Sequence, residues 1–367
     1  MNKLLDNISR LIVEGDSDYV ALDLGESYLK AVYVTDGRID RFLVQKNNGS
    51  PVKLAAAWLK KEGLLSKEVR VSIKGRSTLL RYIPFLKVDK KNLKEVFSYE
   101  IAKFIPFNKE EIYFDVFIVD ENYSFKEFLV LLAVAKRDLV DSLIKSFSEE
   151  KVRLGKITLN NIAIINLFLN YRAHMSSFRR PGESPPRGSS GENNKQSQPR
   201  QPTEELKLEN VAIVDIGLNT SLLNLIKKDH PCLSREIKVS ASDFLQKIVK
   251  VKQVSLEEAE NFLTDLERPK EVIEIQEILE ITEEVAFGLS EEVKNTLDYF
   301  EVNWGQRVQA IYLTGGLSKI KGLERVMENS LGVPTRIWDP FEGVHLSVGP
   351  DILSFKEMMA VVLGVTL

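Results

Sequence analysis

The sequence has few cysteines and histidines, and it has no long apolar run. Of 367 residues, only Cys232 is a cysteine and three are histidine. One thiol cannot form an internal disulfide, and so few ligands do not support a zinc site. No apolar run reaches the ~20 residues that cross a bilayer. Asp6 and Arg10 interrupt the N-terminal apolar stretch, so we expect no signal peptide there.

An excess of basic charge is also absent. The formal net charge is −3 and the isoelectric point is about 5.9. Such a balance gives no electrostatic footprint for nucleic acid, and we expect no nucleic-acid partner. Apolar residues make up 44% of the chain, which is the ordinary content of a globular protein with a sizeable core.

One short pattern occurs twice: an apolar strand, an Asp-x-Gly turn and a second apolar strand. The first copy is YVALDLGESYLKAV, with Asp23 and Gly25 in its turn, and the second is NVAIVDIGLNTSLLNLI, with Asp215 and Gly217. An internal repeat predicts two copies of one structural unit. We therefore expect a duplicated α/β fold in which two similar turns face each other across a cleft.

Composition divides the chain around residues 174–205, which are rich in proline, serine and arginine and nearly lack aliphatic side chains. Such a segment cannot bury enough apolar surface to fold, which predicts a disordered linker. The predicted ranges are, in chain order, 1–67 (first domain, with an N-terminal helix), 68–152 (inserted α+β unit), 153–173 (first domain again), 174–205 (linker), 206–354 (second domain) and 355–367 (apolar closing helix).

The repeated turns carry residue types that suit polyphosphates. Glycine lets backbone N–H groups approach phosphate oxygens, and hydroxyl or amide residues after it add donors. A Gly-Gly turn that opens a helix after a strand adds a helix N-terminus, which favours an anion. The expected phosphate and sugar ligands are Gly25, Ser27, Gly217, Asn219, Thr220, Gly315 and Gly316. Asp23 and Asp215 would hold Mg²⁺ through its water shell.

These residues resemble a known family. The two hairpins and the late Gly-Gly turn are similar to the phosphate and adenosine loops of the actin/Hsp70/hexokinase-like fold. Within that fold the chain resembles the PilM proteins, cytoplasmic actin-like components of type IV pilus assembly that are related to FtsA. The most specific match is Tyr99-Glu-Ile-Ala-Lys-Phe-Ile-Pro-Phe107 followed by Asp115, which is similar to the family signature E-x-x-K-(Y/F)-I-P-F…D.

The resemblance implies a site and a partner. It implies ATP binding, with Lys30 at the first phosphate loop and Glu292 and Lys294 near the ribose, and it implies that 68–152 is the small 1C subdomain. It also implies that a groove between the first domain and 1C binds the cytoplasmic N-terminal tail of a PilN-like inner-membrane protein. Phe104, Pro106 and Phe107 are the candidate groove residues. Membrane contact would then occur only through partners, at the cytoplasmic side of the inner membrane.

Departures from the family pattern keep other functions open. Glu26 and Tyr28 replace small hydroxyl residues in the first turn, and Asn160 ends a strand where the family carries a carboxylate. The leading expectation is an actin-like, ATP-binding scaffold of a pilus or related type II secretion complex, at most a weak ATPase. A nucleotide-free, GspL-like scaffold is an alternative. A small-molecule kinase is a further alternative, although it would need a carboxylate base beside the γ-phosphate.

Overall fold

A computed structural model describes residues 18–47, 49–177, 208–264, 272–320 and 322–367. The predicted N-terminal helix lies outside these residues, as does most of the predicted linker. The four residues 174–177 are an exception, because the helix Asn160–Ser177 includes them. The helix therefore runs four residues into the range that the sequence assigned to the linker.

The described residues form thirteen strands, nine α-helices and four short 3₁₀ helices. The strands are β1 Tyr19–Leu24, β2 Tyr28–Thr35, β3 Arg38–Lys46, β4 Glu68–Ile73, β5 Thr78–Leu86, β6 Ile112–Asp120, β7 Glu127–Lys136, β8 Leu154–Leu159, β9 Asn210–Ile216, β10 Ser221–Lys227, β11 His230–Ile237, β12 Ala310–Thr314 and β13 Thr335–Ile337. The helices are α1 Pro51–Lys61, α2 Leu93–Glu100, α3 Arg137–Glu149, α4 Asn160–Ser177, α5 Ala241–Lys252, α6 Leu256–Thr264, α7 Val272–Trp304, α8 Leu323–Leu331 and α9 Ala360–Val365. The 3₁₀ helices are Lys90–Asn92, Ile101–Lys103, Lys109–Glu111 and Pro350–Met358.

Two five-stranded sheets repeat one topology. The first has the order β3-β2-β1-β4-β8 and the second has the order β11-β10-β9-β12-β13. In both, the hairpin strands are antiparallel, and the strands on the other side of β1 and β9 are parallel to them. The duplicated α/β fold predicted from the repeated hairpin is confirmed.

A third sheet, β5-β7-β6, is inserted into the first half of the chain. One of its faces packs with α2 around a core that contains Phe97 and Leu132. The sequence placed the strand at Glu68–Ile73 in this inserted unit, and the structure corrects this assignment. That strand pairs with β1 in the first sheet, and its buried residues leave no solvent-facing side, as is typical of a central parallel strand.

The C-terminal helix packs at the centre of the molecule. All six residues of α9 are buried, and they share one core with α4 and with strands of both five-stranded sheets. A β-carbon at Gly364 would lie 2.0 Å from the Ala163 carbonyl oxygen, so glycine is required where the two helices meet. The predicted closing helix over 355–367 is shorter than expected, because the 3₁₀ helix Pro350–Met358 precedes α9.

Two helices follow β11 in the second half. The first, α5, ends at Lys252, and Gln253 adopts the left-handed conformation. A new helix begins after Ser255, whose hydroxyl accepts the Glu258 amide while the Glu258 carboxylate accepts the Ser255 amide. This reciprocal cap explains the break, since it satisfies the first amides of α6.

The single cysteine provides a test of this packing. Cys232 is 6% exposed, and burial raises the pKa of its thiol to about 12. Because the thiolate is the reactive form, we expect native protein at pH 8 not to react with a disulfide reagent such as DTNB. Urea-unfolded protein is the control and should react fully. Rapid labelling of the native chain would show that β11 is not packed as described.

Candidate functional site

A cavity of about 270 Å³ lies between the two five-stranded sheets, where the repeated turns face each other. Eight of the residues predicted to bind nucleotide or metal line it: Asp23, Gly25, Ser27, Lys30, Asp215, Gly217, Gly315 and Gly316. The lining residues that the site prediction missed include Lys46, Lys74, Asn160, Lys319 and Met358. The structure thus brings together two turns that are far apart in the chain.

The glycines of the two turns are required by the hairpins themselves. A β-carbon at Gly25 would lie 2.6 Å from the Tyr28 carbonyl oxygen, and one at Gly217 would lie 2.6 Å from the Thr220 carbonyl oxygen. Gly315 has φ +95°, and a β-carbon there would lie 2.5 Å from the Ile216 carbonyl oxygen. Glycine is therefore fixed at these positions by close backbone packing, whether or not a ligand binds.

A lysine amine lies above each turn. A β-carbon at Gly25 would lie 3.0 Å from Lys30 Nζ, and one at Gly217 would lie 3.2 Å from Lys74 Nζ. Both lysines come from the first half of the chain, so Lys74 reaches across the cavity to the second turn. The position of Lys74 directly after the apolar strand β4 is the one feature of the sequence that points to this role. In the structure, β4 lies beside β1, with Ser72 paired with Asp23.

Carboxylates neutralise these lysines in the structure described. Lys30 Nζ is 2.5 Å from Asp23 Oδ2, and both side chains are nearly buried. Lys74 Nζ is 3.6 Å from Glu26 Oε2. Glu26, which replaces a small hydroxyl residue in the first turn, thus faces a cation. A ligand with phosphate groups would therefore exchange these ion pairs for its own.

The second turn holds the most perturbed carboxyl group of the cavity. Burial raises the pKa of Asp215, an effect that Lys74 and Lys30 oppose and that Asp23 reinforces. Asp23 is already engaged by Lys30, and the described residues contain no group of three or more side chains placed to hold a metal ion. Since Mg²⁺ needs only one or two protein carboxylates and keeps several waters, Mg²⁺ at Asp23 and Asp215 remains a prediction.

An ion pair at the mouth of the cavity joins the two halves of the chain. Lys46 Nζ, at the end of β3, is 2.9 Å from Glu260 Oε2 on α6. Glu257, one turn earlier on the same helix, also lines the cavity. The Lys46 side chain is 61% exposed, so this pair contributes little to stability and can open readily.

Four of the predicted nucleotide ligands do not line the cavity. Asn219 is exposed at the tip of the second turn, and Thr220 contributes its carbonyl to the hairpin. Glu292 is 2.5 Å from the Arg235 guanidinium on β11, at the edge of the second sheet away from β9, and Lys294 is exposed. The ribose prediction from Glu292 and Lys294 is not supported, because this part of α7 faces the sheet edge.

A second, larger cavity of about 680 Å³ lies between the inserted sheet and the first five-stranded sheet. Its walls come from β6, β7, β8 and α4, and Pro231 of β11 closes one end. We call it the groove. The predicted groove residues Phe104, Pro106 and Phe107 do not line this cavity. The Phe104 ring stacks on Phe97, with centroids 5.4 Å apart, and Phe107 packs against the same core. Pro106 is exposed. The rings of Phe104 and Phe107 thus contribute to the packing of the inserted unit.

The comparison with protein families concerns the second half of the chain. Residues 194–367 match the model of the family described as type IV pilus assembly protein PilM. These residues, slightly less than half of the chain, are therefore similar to the PilM family. No curated protein sequence matches the chain. Among the described residues, no helix has the length and apolar character needed to cross a membrane.

Solved structures extend the likeness to both halves. A structure described as a PilM–PilN type IV pilus biogenesis complex is similar at 19% identity with a TM-score of 0.72, covering 95% of this chain and 97% of that chain. The ethanolamine utilization protein EutJ from Carboxydothermus hydrogenoformans is similar at 13% identity with a TM-score of 0.53, covering 100% of this chain and 99% of that chain. The fold of the chain is actin-like.

The raised pKa of Asp215 predicts a pH-dependent effect of its removal. A carboxyl group whose pKa is higher in the folded than in the unfolded chain favours folding when protonated, and this contribution is lost as pH rises through the folded pKa. We therefore expect Asp215→Asn to raise the melting temperature at pH 7, where ionised Asp215 is penalised, and to have little effect near pH 4.

The matched control is Asp36→Asn, which removes a charge at an exposed turn with left-handed backbone. It should leave the melting temperature almost unchanged at both pH values. A stabilisation by Asp215→Asn of equal size at pH 7 and pH 4 would contradict the assignment of the effect to ionisation.

Proposed function

We propose that the chain is a cytoplasmic actin-like scaffold of a type IV pilus or related secretion complex at the inner membrane. In this proposal the cavity between the two five-stranded sheets binds ATP, and the groove binds the cytoplasmic N-terminal tail of a PilN-like membrane protein. The observation that carries the proposal is the pair of facing Asp-x-Gly turns, each beneath a lysine amine, in a chain whose second half matches the PilM family model.

The charges of the cavity support a polyphosphate ligand. Lys30 and Lys74 lie within reach of both turns, and turn amides oriented into a concave site favour anions. Lys46 and Lys319 add positive charge at the cavity wall. A nucleotide phosphate chain would take over the lysines from Asp23 and Glu26. The Gly315-Gly316 turn would let the sugar approach the backbone closely, since Gly315 cannot carry a side chain.

The nucleotide-free scaffold remains a second candidate, and a specific observation favours it. Lys30 and Lys74 already have carboxylate partners, so the cavity is electrostatically balanced without a ligand. The nearly buried Asp23–Lys30 pair would have to rearrange for a phosphate to reach Lys30. Calorimetric titration of the protein with ATP, with and without Mg²⁺, separates the two candidates.

Lys74 gives the sharper form of this experiment. A hydrogen bond to a charged group contributes about 1.5–3 kcal/mol, so we expect Lys74→Met to weaken ATP binding by roughly ten-fold or more. The matched control is Lys46→Met at the exposed mouth, which should change the affinity by only about two- to three-fold. If the wild type binds ATP and both variants lose affinity equally, Lys74 is not a specific ligand of the nucleotide. If the wild type does not bind ATP, the nucleotide-free scaffold is favoured.

The groove supports the second part of the proposal. The similar solved structure is a complex that contains PilN, which suggests a PilN-like partner for this chain. The groove walls are mostly apolar, with contributions from Phe117, Ile162 and Ile165. A cavity of about 680 Å³ with mostly apolar walls has room for a short peptide segment and not for a compact domain.

A groove-filling substitution tests this assignment. Asn166 on α4 is half-buried and lines the groove, whereas the half-buried Asn170, one turn later, does not. We expect Asn166→Tyr to abolish binding of a synthetic peptide of the PilN-like tail in a fluorescence anisotropy assay, because the ring occupies the cavity. Asn170→Tyr is the control and should bind normally. If both variants bind the peptide like the wild type, the tail binds elsewhere.

A further inference from the structure

The turn between β6 and β7, residues 121–126, exposes large apolar side chains. Phe125 is 94% exposed and is the most exposed large apolar residue that the structure describes. Leu86, at the end of β5, is 64% exposed, and it lies at the same end of the inserted sheet because it pairs with Glu127 of β7. Tyr123 of the same turn is also exposed. We call these three apolar residues, Leu86, Tyr123 and Phe125, the tip.

Hydrogen bonds hold this turn, so the tip is a defined feature of the fold. The Asn122 amide donates to Asp120 Oδ1 at 2.8 Å, and the Ser124 amide donates to the Glu127 carbonyl oxygen at 3.2 Å. Ser124 Oγ also accepts the Glu127 amide at 3.0 Å. The Phe125 ring thus projects from a hydrogen-bonded turn and takes no part in the cores on the two faces of the inserted sheet.

Lysine amines surround the tip. Lys87 and Lys126 are exposed and lie beside each other, since the Lys87 amide donates to the Lys126 carbonyl oxygen at 2.9 Å. Lys91 is exposed in the 3₁₀ helix that follows β5, and Lys90 of that helix pairs with Glu121 of the turn. Within the part of the chain that the structure describes, no carboxylate lies within ion-pair distance of Lys87, Lys91 or Lys126.

The nearby carboxylates are engaged within the inserted unit. Asp89 Oδ1 accepts the Lys91 amide at 3.0 Å, and Asp120 accepts an amide of the turn. Glu121 Oε1 is 2.5 Å from Lys90 Nζ. These carboxylates have amide or cationic partners, whereas the three lysine amines have no carboxylate. The tip therefore presents an apolar centre with positive charge at its rim.

An apolar centre with a positive rim is complementary to an anionic bilayer surface. Apolar side chains enter the boundary between headgroups and acyl chains, and lysine amines pair with anionic headgroups. A stable protein interface buries about 800 Å² on each partner, which three apolar side chains at the end of a sheet do not supply. Binding to a bilayer scales instead with the few apolar side chains that enter it and with the charge around them.

The tip lies at one end of the groove. Lys90 and Glu121, which flank the tip, both line the groove. A groove occupied by the tail of a membrane protein lies close to the bilayer, so the tip is then within reach of the lipid. This step alone rests on the proposed function.

We propose that the tip inserts into an anionic bilayer surface and gives the chain a direct membrane contact in addition to contact through partners. Phe125 and Leu86 enter the boundary between headgroups and acyl chains, and Lys87 and Lys126 lie among the headgroups. So small an apolar surface binds weakly and reversibly. The contact therefore orients a chain that a partner holds at the membrane and does not anchor it alone.

Vesicle sedimentation with the full chain tests the contact. The probes are vesicles of phosphatidylcholine mixed equally with phosphatidylglycerol, and vesicles of phosphatidylcholine alone, both at low salt. We expect binding to the anionic vesicles only. Phe125→Ser should weaken this binding about ten-fold or more, because the ring no longer leaves water. Lys126→Gln should weaken it about five-fold, because one charge near the anionic surface is lost.

The matched control is Val302→Ser on α7, which removes a similarly exposed apolar side chain outside the tip. It should bind the anionic vesicles like the wild type, and melting curves verify that all variants fold. A label gives a second readout: Asn122→Cys carries the environment-sensitive dye NBD, since buried Cys232 does not react. Its emission should increase and shift to the blue when anionic vesicles are added.

The contrary outcomes separate this contact from the proposed function. No binding of the wild type to anionic vesicles overturns the membrane contact and leaves a protein as the partner of the tip, while ATP and tail-peptide binding still support the proposed function. Binding that Phe125→Ser does not weaken, or NBD emission that does not change, overturns the assignment to the tip. Equal binding to both kinds of vesicle overturns the role of the lysines. Vesicle binding without ATP or peptide binding overturns the proposed function and leaves the tip in place.

Discussion

The contact between α4 and α9 fixes the relation between the two halves of the chain. Gly364 has no room for a side chain against the Ala163 carbonyl, and both helices are buried in one core with β1 and β9 of the two sheets. Because close-packed interiors resist deformation, this contact sets the distance between the two Asp-x-Gly turns. The cleft, the lysines that cross it and the wall of the groove all depend on it.

The cleft combines an inflexible backbone with exchangeable charges. Its glycines are held by carbonyl oxygens of their own hairpins, so its shape does not depend on a ligand. Its lysines are held only by carboxylates: Lys30 by the nearly buried Asp23, and Lys74 by the more exposed Glu26. Separating Lys30 from Asp23 costs more free energy than separating Lys74 from Glu26, because breaking the more buried pair leaves a poorly solvated charge. Anion entry beside Lys74 therefore requires less rearrangement than entry beside Lys30.

The sequence predicted features that depend on local pattern and missed those that depend on strand neighbours. The hairpins and their glycines follow from periodicity and turn chemistry within about 20 residues of chain, and the structure has them as expected. Lys74 reaches the second turn because β4 is the parallel neighbour of β1, and a local sequence pattern does not reveal strand neighbours. Glu292, predicted near the ribose, pairs with Arg235 outside the cavity, because a helix pattern does not reveal which sheet edge the helix faces.

The aromatic motif illustrates a different limit. The run from Tyr99 to Phe107, followed by Asp115, is the most specific sequence resemblance to the family. Its Phe104 and Phe107 rings stabilise the inserted unit, and Asp115 is the one motif residue that lines the groove. A specific motif can thus consist mainly of residues whose packing creates a binding surface.

The same inserted unit connects the groove to the cleft. His230 and Pro231 of β11 reach the groove, and β11 is joined through β10 to β9, which carries Asp215. These strands are joined by backbone hydrogen bonds. The contact of His230 with Val119 therefore ties the inserted unit to the sheet that carries Asp215 of the cleft.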